Sequence, residues 1–306
     1  MNQPFILCAD DYALSPGVSR AILDLIARGR ISATGCMTVS PFWADHAAWL
    51  KPFTGCADIG LHLTLTDHRP LGPMPSLAPS GRLPPLGRLM ALALARRLDP
   101  DEINAEVARQ IGVFIAVHGA PPDFIDGHQH VHLLPVVRDA VVAALPALPG
   151  TWLRNCHEPP AAVIKRGVST FKALVIGELG RPLNKLIESR RLLSNGGFSG
   201  IYDLSGRRPY AELMSGFLES SAPIVQAKPH LVMCHPGFVD EALRRIDPVT
   251  DRRRDEYDFL AGDDFGQMLA RLGLVPRRFK KSSDKPVKAP PISASASRSI
   301  RPAPAG

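Results

Sequence analysis

Aspartate and histidine side chains recur where the apolar runs of this 306-residue chain end. Asp10 and Asp11 follow the run FILCA, His62 lies within GLHLTL, and His235 follows LVMC. The segment DGHQHVH supplies four more: Asp126, His128, His130 and His132. An aspartate and two histidines, with positions left for water and substrate, are the usual protein ligands of a hydrolytic metal site. The residue types therefore favour metal-assisted hydrolysis.

The pair Asp10 and Asp11 brings two like charges to the end of a buried strand. Such burial destabilises a fold unless a metal or another positive group compensates. Taken alone, an aspartate pair at a strand end is more often a helix-capping or loop pair, and a histidine such as His62 is more often a hydrogen-bonded core residue. Three histidines in the five residues HQHVH favour metal binding by themselves. The metal interpretation therefore depends on the motifs taken together.

The spacing in DGHQHVH allows several side chains to face one site. Alternate residues of a strand point to the same face, so Asp126 and the three histidines would point together if the extended conformation continues. One or two of the histidines would then meet Asp11.

Strands and helices alternate in the elements that must position these residues. Strands are predicted at residues 5–9 and in ATGCMTVS, ADIGLHLTL, PDFIDGHQHVH, TWLRN and PHLVMCHPGF. Helices are predicted in LSPGVSRAILDLIARG, with Ser15 as its N-cap, and in PFWADHAAWL, PDEINAEVARQIGVFIAVHG, PVVRDAVVAALPAL, 210–220 and 257–272. This order implies a parallel sheet with right-handed crossovers, whose site lies at the carboxyl ends of the strands.

Two stretches interrupt the alternation, at residues 66–90 and 157–209. The first is rich in Pro and Gly, and the second mixes Pro, Gly and basic residues without a sustained period. Long loops of this kind are often lids or substrate-binding insertions. For 157–209, a variable surface excursion is an equally good interpretation.

The formal net charge of +7 is located in the last thirty residues. Residues 277–306 contain eight cationic side chains against one aspartate, which accounts for the whole excess. We therefore predict a catalytic domain at 1–276 and a disordered basic tail at 277–306, because the tail has little apolar surface to bury. No nucleic-acid partner is expected, and any such role of the tail should disappear when the tail is removed.

Cysteine usage and hydropathy indicate the compartment. The five cysteines are widely spread and form no CxxC pair, which argues against a disulfide framework or a structural zinc site. The N-terminal apolar run is five residues long, too short for a secretory signal. No run approaches the roughly 20 apolar residues of a membrane span. A cytoplasmic protein without a membrane span is predicted.

Four motifs, ADDYALSPGVSRAI, GLHLTLT, DGHQHVHLLP and MCHPGF, occur here in that order. Together they resemble the YdjC family of carbohydrate deacetylases, which includes the ChbG and HpnK proteins, and the resemblance covers residues 4–275. It implies an α/β fold, a deformed (β/α) TIM-like barrel related to the polysaccharide deacetylases. It also implies one divalent metal ion, Mg²⁺ or Zn²⁺, and hydrolysis of an N-acetylated carbohydrate, chitooligosaccharide or glycolipid sugar, with release of acetate.

The resemblance also implies roles for individual residues. Asp11, His62 and His128 would bind the metal, Asp10 would be the general base, and His235 the general acid. The residues expected to orient them are Asp126, His130, His132 and Arg154.

Three positions depart from the family's usual motifs. Tyr12 and Ala13 stand where Phe and Gly are usual, and Ala restricts the backbone conformations that Gly would allow. Gln129 stands where many relatives carry a further histidine. These departures bear on the loop geometry rather than on the ligands.

Two other functions remain open at this point. Asp/His sites also serve phosphoesterases, and Arg154 at a strand end is compatible with a phosphate clamp. A non-catalytic sugar-binding relative is the second alternative, but it would be expected to have lost Asp10 or His235. Three tryptophans are candidates for stacking on sugar rings, although core packing is favoured for them: Trp43, Trp49 and Trp152.

Overall fold

The strand that carries the aspartate pair lies inside a parallel sheet. The computed structural model describes residues 2–204, 206–219 and 228–279. Its strands are β1 (Gln3–Tyr12), β2 (Ala33–Cys36), β3 (Asp58–Leu63), β4 (Phe124–Gly127), β5 (Trp152–Leu153), β6 (Gly197–Ser199), β7 (His230–Cys234) and β8 (Leu274–Pro276). Their order across the sheet is β5-β4-β3-β2-β1-β7-β6, and β8 pairs with the first residues of β1. Every pairing is parallel, as predicted.

Helices follow most of the strands. They are α1 (Pro16–Ala27), α2 (Trp43–Leu50), α3 (Leu86–Leu94), α4 (Pro100–His118), α5 (Val137–Ala144), α6 (Pro160–Arg166), α7 (Thr170–Arg190), α8 (Tyr210–Glu219), α9 (Glu241–Ile246), α10 (Asp251–Ala261) and α11 (Asp263–Leu272). Short 3-10 segments occupy Lys51–Phe53, His128–Leu133 and Leu145–Ala147. Among the described helices, none is long and apolar enough to cross a membrane.

The local sequence determines where helix α1 begins and which of its faces is buried. The Ser15 side chain accepts a hydrogen bond from the Val18 amide at 3.2 Å, and Pro16 occupies the first turn. The buried face of α1 includes Ile22 and Leu25, which lie about one helical turn apart. Apolar residues at this spacing share one face of the helix, and that face packs against the sheet. The predicted cap and helix are confirmed.

The edge strand β5 and the residues just after it are linked to the segment that precedes the other edge strand, β6. The Leu153 amide donates to the Leu193 carbonyl at 2.9 Å. The Asn195 side chain accepts from the Asn155 amide at 2.7 Å and donates to the Asn155 carbonyl at 2.8 Å. A single backbone bridge, between Leu153 and Ser194, and the Asn195 side chain therefore make this link, since β5 and β6 form no ladder with each other. The sheet is a curled, parallel half-barrel, and the predicted α/β fold is confirmed.

The insertion at 157–209 differs from its prediction, because it contains the 21-residue helix α7. Half of the buried residues of α7 are small, Ala173, Gly177 and Gly180, and because hydropathy scores such residues weakly, they weaken the apolar period of the helix. A Cβ atom on Gly180 would lie 3.0 Å from the His157 amide. Glycine therefore permits the close approach of α7 to the segment after β5.

The insertion at 66–90 is fastened to α4 by carboxylates. Glu106 accepts from the Leu71 amide at 2.9 Å, and Glu102 accepts from the Leu77 amide at 3.1 Å. The chain in this insertion is irregular until α3 begins. These contacts hold the insertion, which follows β3, against α4.

Two further predictions are corrected by the packing. The single helix predicted at 257–272 is two helices, α10 and α11, because the backbone is extended at Gly262. Trp43 and Trp152 are buried in the core as favoured, whereas Trp49 is half-buried and stacks on His46 at 4.1 Å between ring centroids. The Phe279 ring packs on Trp152 at 5.1 Å. The tail predicted to be disordered lies, from residue 280 onward, outside the described residues.

Candidate metal centre

The two neighbouring aspartates contact one cluster because β1 is irregular at its end. The pairing of β1 with β2 shifts between Ala9 and Tyr12, and Asp11 has a φ of 68°. In a regular strand, adjacent side chains would point to opposite faces. The irregularity allows Asp10 and Asp11 to face neighbouring parts of the same buried site.

Asp11, His62 and His128 form a group whose ligand atoms lie within 4.8 Å of one another. Asp11 Oδ1 is 2.9 Å from His128 Nδ1 and 3.3 Å from His62 Nε2. His62 and Asp11 are buried, while the His128 side chain is 16% exposed. One carboxylate and two imidazoles converging on a point suit a divalent cation such as Zn²⁺. The partial exposure of His128 marks the side from which the group is reached.

Asp126 holds the His62 ring from the other side. Its Oδ1 lies 2.7 Å from His62 Nδ1, and neither side chain is more than 2% exposed. Burial acts to lower the pKa of His62, but the carboxylates of Asp126, Asp11 and Asp10 raise it to about 10. Each ring nitrogen of His62 therefore faces a carboxylate oxygen, Nδ1 that of Asp126 and Nε2 that of Asp11.

A second group of ligand-type atoms, from Cys8, Asp10 and Asp126, is filled by a guanidinium. Arg154 Nη2 lies 2.5 Å from Asp10 Oδ1, 2.6 Å from Asp126 Oδ2 and 3.1 Å from Cys8 Sγ. Arg154 is fully buried, so its charge is fixed within the protein. It takes the place that a cation would need in this group.

The same guanidinium sets the ionisation of Asp10. Arg154 Nη1 donates to Asp10 Oδ2 at 2.7 Å, which completes a two-point contact. Burial acts to raise the pKa of Asp10, but the charge and hydrogen bonds of Arg154 hold it well below its usual range. Asp10 is therefore a carboxylate at neutral pH, despite its burial.

Arg253 is a site residue that the sequence analysis missed. Its Nη2 lies 2.6 Å from Asp11 Oδ2 and 2.6 Å from Asp247 Oδ2. Burial acts to raise the pKa of Asp11, but the charges of Arg253 and His128 hold it well below its usual range. Arg253 belongs to the run DRRRDEYDF, which is typical of a solvated helix. Only the fold shows that it is 3% exposed.

His235 is a further neighbour of Asp10. Its Nε2 is 3.9 Å from Asp10 Oδ2, and its side chain is 19% exposed. The separation is longer than a hydrogen bond, so the two groups are neighbours across a gap. The His235 amide donates to Glu256 Oε2 at 2.6 Å.

The expected alternation of DGHQHVH stops at Gly127. His128–Leu133 is a 3-10 segment in which Gln129 and His130 have φ values of 53° and 60°. The condition that the extended conformation continues is therefore not met, because left-handed residues turn the chain out of the strand. His128 still reaches Asp11 from the start of this turn.

His130 and His132 lie apart from the Asp11 group. His132 is buried, and its Nε2 lies 3.2 Å from the Arg154 carbonyl oxygen. His130 Nδ1 is 3.8 Å from Cys156 Sγ. His132 is thus placed to hold the backbone of Arg154, directly after β5.

The insertion at 66–90 brings one further histidine to the site. The His68 ring meets the His128 ring edge-on, with centroids 6.1 Å apart, and His68 Nδ1 lies 3.1 Å from the Thr66 carbonyl oxygen. Burial lowers the pKa of His68. His68 could not be predicted from the sequence, because it lies in a loop without a periodic pattern.

Residues 4–271 match the family model described as YdjC-like protein. A chitooligosaccharide deacetylase from Salmonella typhimurium is 29% identical over 287 residues, which are 91% of this chain and 99% of that protein. One from Serratia marcescens is 39% identical over 144 residues, 47% of this chain and 56% of that protein's length. A solved structure from Enterococcus faecalis, provisionally named a cellobiose-phosphate cleavage protein, aligns with a TM-score of 0.71 at 20% identity. That alignment covers 91% of this chain and 98% of the other, and it shows a shared fold.

Proposed function

The chain belongs to the YdjC-like family, and from this premise we propose that it is a metal-dependent deacetylase of N-acetylated carbohydrates that releases acetate. The observation that carries the proposal is the convergence of Asp11, His62 and His128 beside an ionised Asp10. Neighbouring atoms thus offer a cation site and a base.

The residues present fit a divalent cation. Asp11 Oδ1, His62 Nε2 and His128 Nδ1 would hold it, and Arg253 on the other Asp11 oxygen leaves Oδ1 for the cation. When bound, such a cation supplies a more acidic water and a polarised acetamide carbonyl. Two imidazoles suit Zn²⁺, while Mg²⁺ prefers oxygen ligands. We keep both ions as candidates for the test.

Asp10 is proposed to take the proton from the attacking water. Arg154 contacts both of its oxygens and keeps the carboxylate ionised. His235, across the 3.9 Å gap, is proposed to donate a proton to the departing amine. Each proton transfer of this kind typically contributes roughly 10²- to 10⁴-fold in rate.

Chitooligosaccharides are the proposed substrate class, since the relatives carry the name chitooligosaccharide deacetylase. The geometry weakens the phosphoesterase alternative, because Arg154 is fully buried and already contacts Asp10 and Asp126. A non-catalytic sugar-binding role has no support from the residues, because Asp10 and His235 are both present at the site. A cytoplasmic location stays a prediction.

The test is acetate release from N-acetylated chitooligosaccharides by protein that has been treated with chelator and reloaded with Mg²⁺ or Zn²⁺. We expect release only after reloading, and we expect Asp10→Asn to reduce it strongly while cation binding persists. Binding of one cation per chain without acetate release from any N-acetylated sugar would reject the proposal. Phosphate esters would then be the next substrates to assay.

A further inference from the structure

Helix α10 places the buried carboxylate of Glu256 beside the backbone amide of His235. Glu256 is fully buried, and its two oxygens have separate donors. Oε2 accepts from the His235 amide at 2.6 Å, and Oε1 accepts from the Tyr202 hydroxyl. A carboxylate in such a position is expensive to bury unless its acceptor atoms are used. Because both oxygens of Glu256 accept hydrogen bonds, its carboxylate is a fixed acceptor for the His235 amide.

The contact of Glu256 is made to the backbone of His235. His235 follows β7 directly and is followed by Pro236 and Gly237. A hydrogen bond to the His235 amide fixes the point at which the chain leaves the sheet. It therefore also fixes the position of the His235 backbone, from which the imidazole extends. The imidazole in turn lies 3.9 Å from Asp10.

The same turn of α10 is anchored to the cation side of the site. Arg253, three residues before Glu256, binds Asp11 Oδ2 through Nη2 at 2.6 Å. Its carbonyl accepts from the Gly237 amide at 2.9 Å. One helical turn thus contacts Asp11 at one point and the His235–Gly237 segment at two others. The separation between the two halves of the site is set by the rigid length of that turn.

The second partner of Glu256 ties it to another strand end. Tyr202 follows β6 and is 3% exposed. The Arg252 guanidinium lies over the Tyr202 ring at 5.2 Å and adds positive charge close to Glu256. The Glu256 carboxylate is therefore held at its second oxygen, Oε1, by a residue that follows β6.

We propose that Glu256 is a positioning residue for His235: its carboxylate fixes the His235 amide, and through it the distance from the imidazole to Asp10. The proposal rests on the proposed function, in which His235 acts on the leaving amine. Nothing in it requires Glu256 to touch substrate. What matters is the reach of the side chain, not its charge.

Two conservative variants separate reach from charge. Glu256→Asp keeps the charge and withdraws the carboxylate by one methylene, whereas Glu256→Gln keeps the reach and removes the charge. Tyr202→Phe is the matched control, because it removes the other donor to Glu256 and leaves the His235 contact. Displacement of a reacting group by about 1 Å can cost about 10²-fold in rate. We therefore expect Glu256→Asp to lower kcat by about 10- to 100-fold with little change in KM, and Glu256→Gln and Tyr202→Phe to lose much less.

A measurement independent of activity uses protein labelled with ¹⁵N-histidine. The chain has ten histidines, and the His235 amide is assigned by its loss in His235→Gln. We expect a strongly downfield amide proton for His235 in the parent, because the bond to a carboxylate is short and charge-assisted. The His235 amide proton signal should move far upfield in Glu256→Asp and keep its parent chemical shift in Tyr202→Phe.

The proposal is overturned if Glu256→Asp keeps the parent kcat, if its loss appears in KM, or if Glu256→Gln loses as much as Glu256→Asp. An unchanged His235 amide signal in Glu256→Asp would also overturn it. If the parent deacetylates no substrate, the proposed function fails. The amide signals still decide whether Glu256 positions His235.

Discussion

His62 and Asp126 are direct neighbours across β3 and β4, and their side chains are joined by a 2.7 Å contact between Nδ1 and Oδ1. A carboxylate can only accept at that position, so Nδ1 carries the proton and Nε2 is left to face Asp11. Strand register thus places the carboxylate that orients one proposed cation ligand.

Removing the Asp126 carboxylate should weaken cation binding. We expect Asp126→Ala to reduce the affinity for Zn²⁺ by about 10- to 100-fold, since a freed imidazole no longer has one orientation. Asp126→Asn should lose less, because its amide oxygen can still accept from His62. Titration calorimetry on chelator-treated protein measures both. Equal affinity in the parent and Asp126→Ala would show that Asp126 does not orient His62.

Arg154 should be essential for stability because it compensates two buried carboxylates. Arg154→Met leaves Asp10 and Asp126 without their cation, and loss of one partner of a buried pair typically costs about 3–5 kcal/mol. The control is Arg28→Met, which removes an exposed pair with Asp24 and should cost less than about 1 kcal/mol. Urea unfolding of the cation-free proteins measures both. Similar losses in the two variants would contradict the compensating role of Arg154.

Much of the site could be predicted because its residues follow strands. Asp11, His62 and Asp126 each lie at or near the end of a short apolar run, and parallel strands bring such ends to one edge. The structure brings them together. Side-chain direction could not be predicted where the backbone leaves the strand pattern, as in the left-handed residues Gln129 and His130.

The residues on α10 could not be predicted from the sequence. Arg253 lies 242 residues from Asp11, and no local pattern joins them. The buried face of α10 consists mostly of charged side chains, Arg252, Arg253 and Glu256. Amphipathic reasoning would place those residues in solvent. A face that is both buried and charged is recognised only when its partners are known.

Ala13 should be a point of backbone strain. Its φ of 73° lies in the left-handed region, which costs a residue with a Cβ roughly 1–2 kcal/mol. The conformation is held because the Ala13 amide donates to Ser19 Oγ at 3.0 Å and its carbonyl accepts from Ser40 Oγ at 2.5 Å. Ala13→Gly, the residue usual in the family, should therefore raise the free energy of unfolding by about 0.5–1 kcal/mol.

The control for Ala13→Gly is Ala9→Gly, in the regular part of β1. There glycine should lower the free energy of unfolding by roughly 0.5–1 kcal/mol. Extended strand backbone has no strain for glycine to relieve, and a glycine loses more conformational entropy on folding than an alanine does. Chemical unfolding curves give both values. A decrease for Ala13→Gly as well would show that residue 13 is not strained.

His230 should make the fold sensitive to acid. It is buried in β7 with Nε2 2.8 Å from Ser199 Oγ, and burial, with a smaller effect of Arg166, lowers its pKa to about 3. The unfolded chain, with a histidine pKa of about 6.5, binds this proton first. The stability from neutral His230 is thus complete above that pH and lost as the pH falls toward the folded pKa. From pH 6.5 to 5 the loss is about 2 kcal/mol.

His230→Gln isolates that contribution, because the glutamine amide reaches Ser199 and does not titrate. His46 and His132, each with a pKa that burial lowers to about 4, act in the same direction and are common to both proteins. We expect the unfolding free energy of the parent to fall more steeply between pH 7.5 and 5 than that of His230→Gln. Parallel pH dependences in urea unfolding would mean that His230 is not neutral in the folded protein.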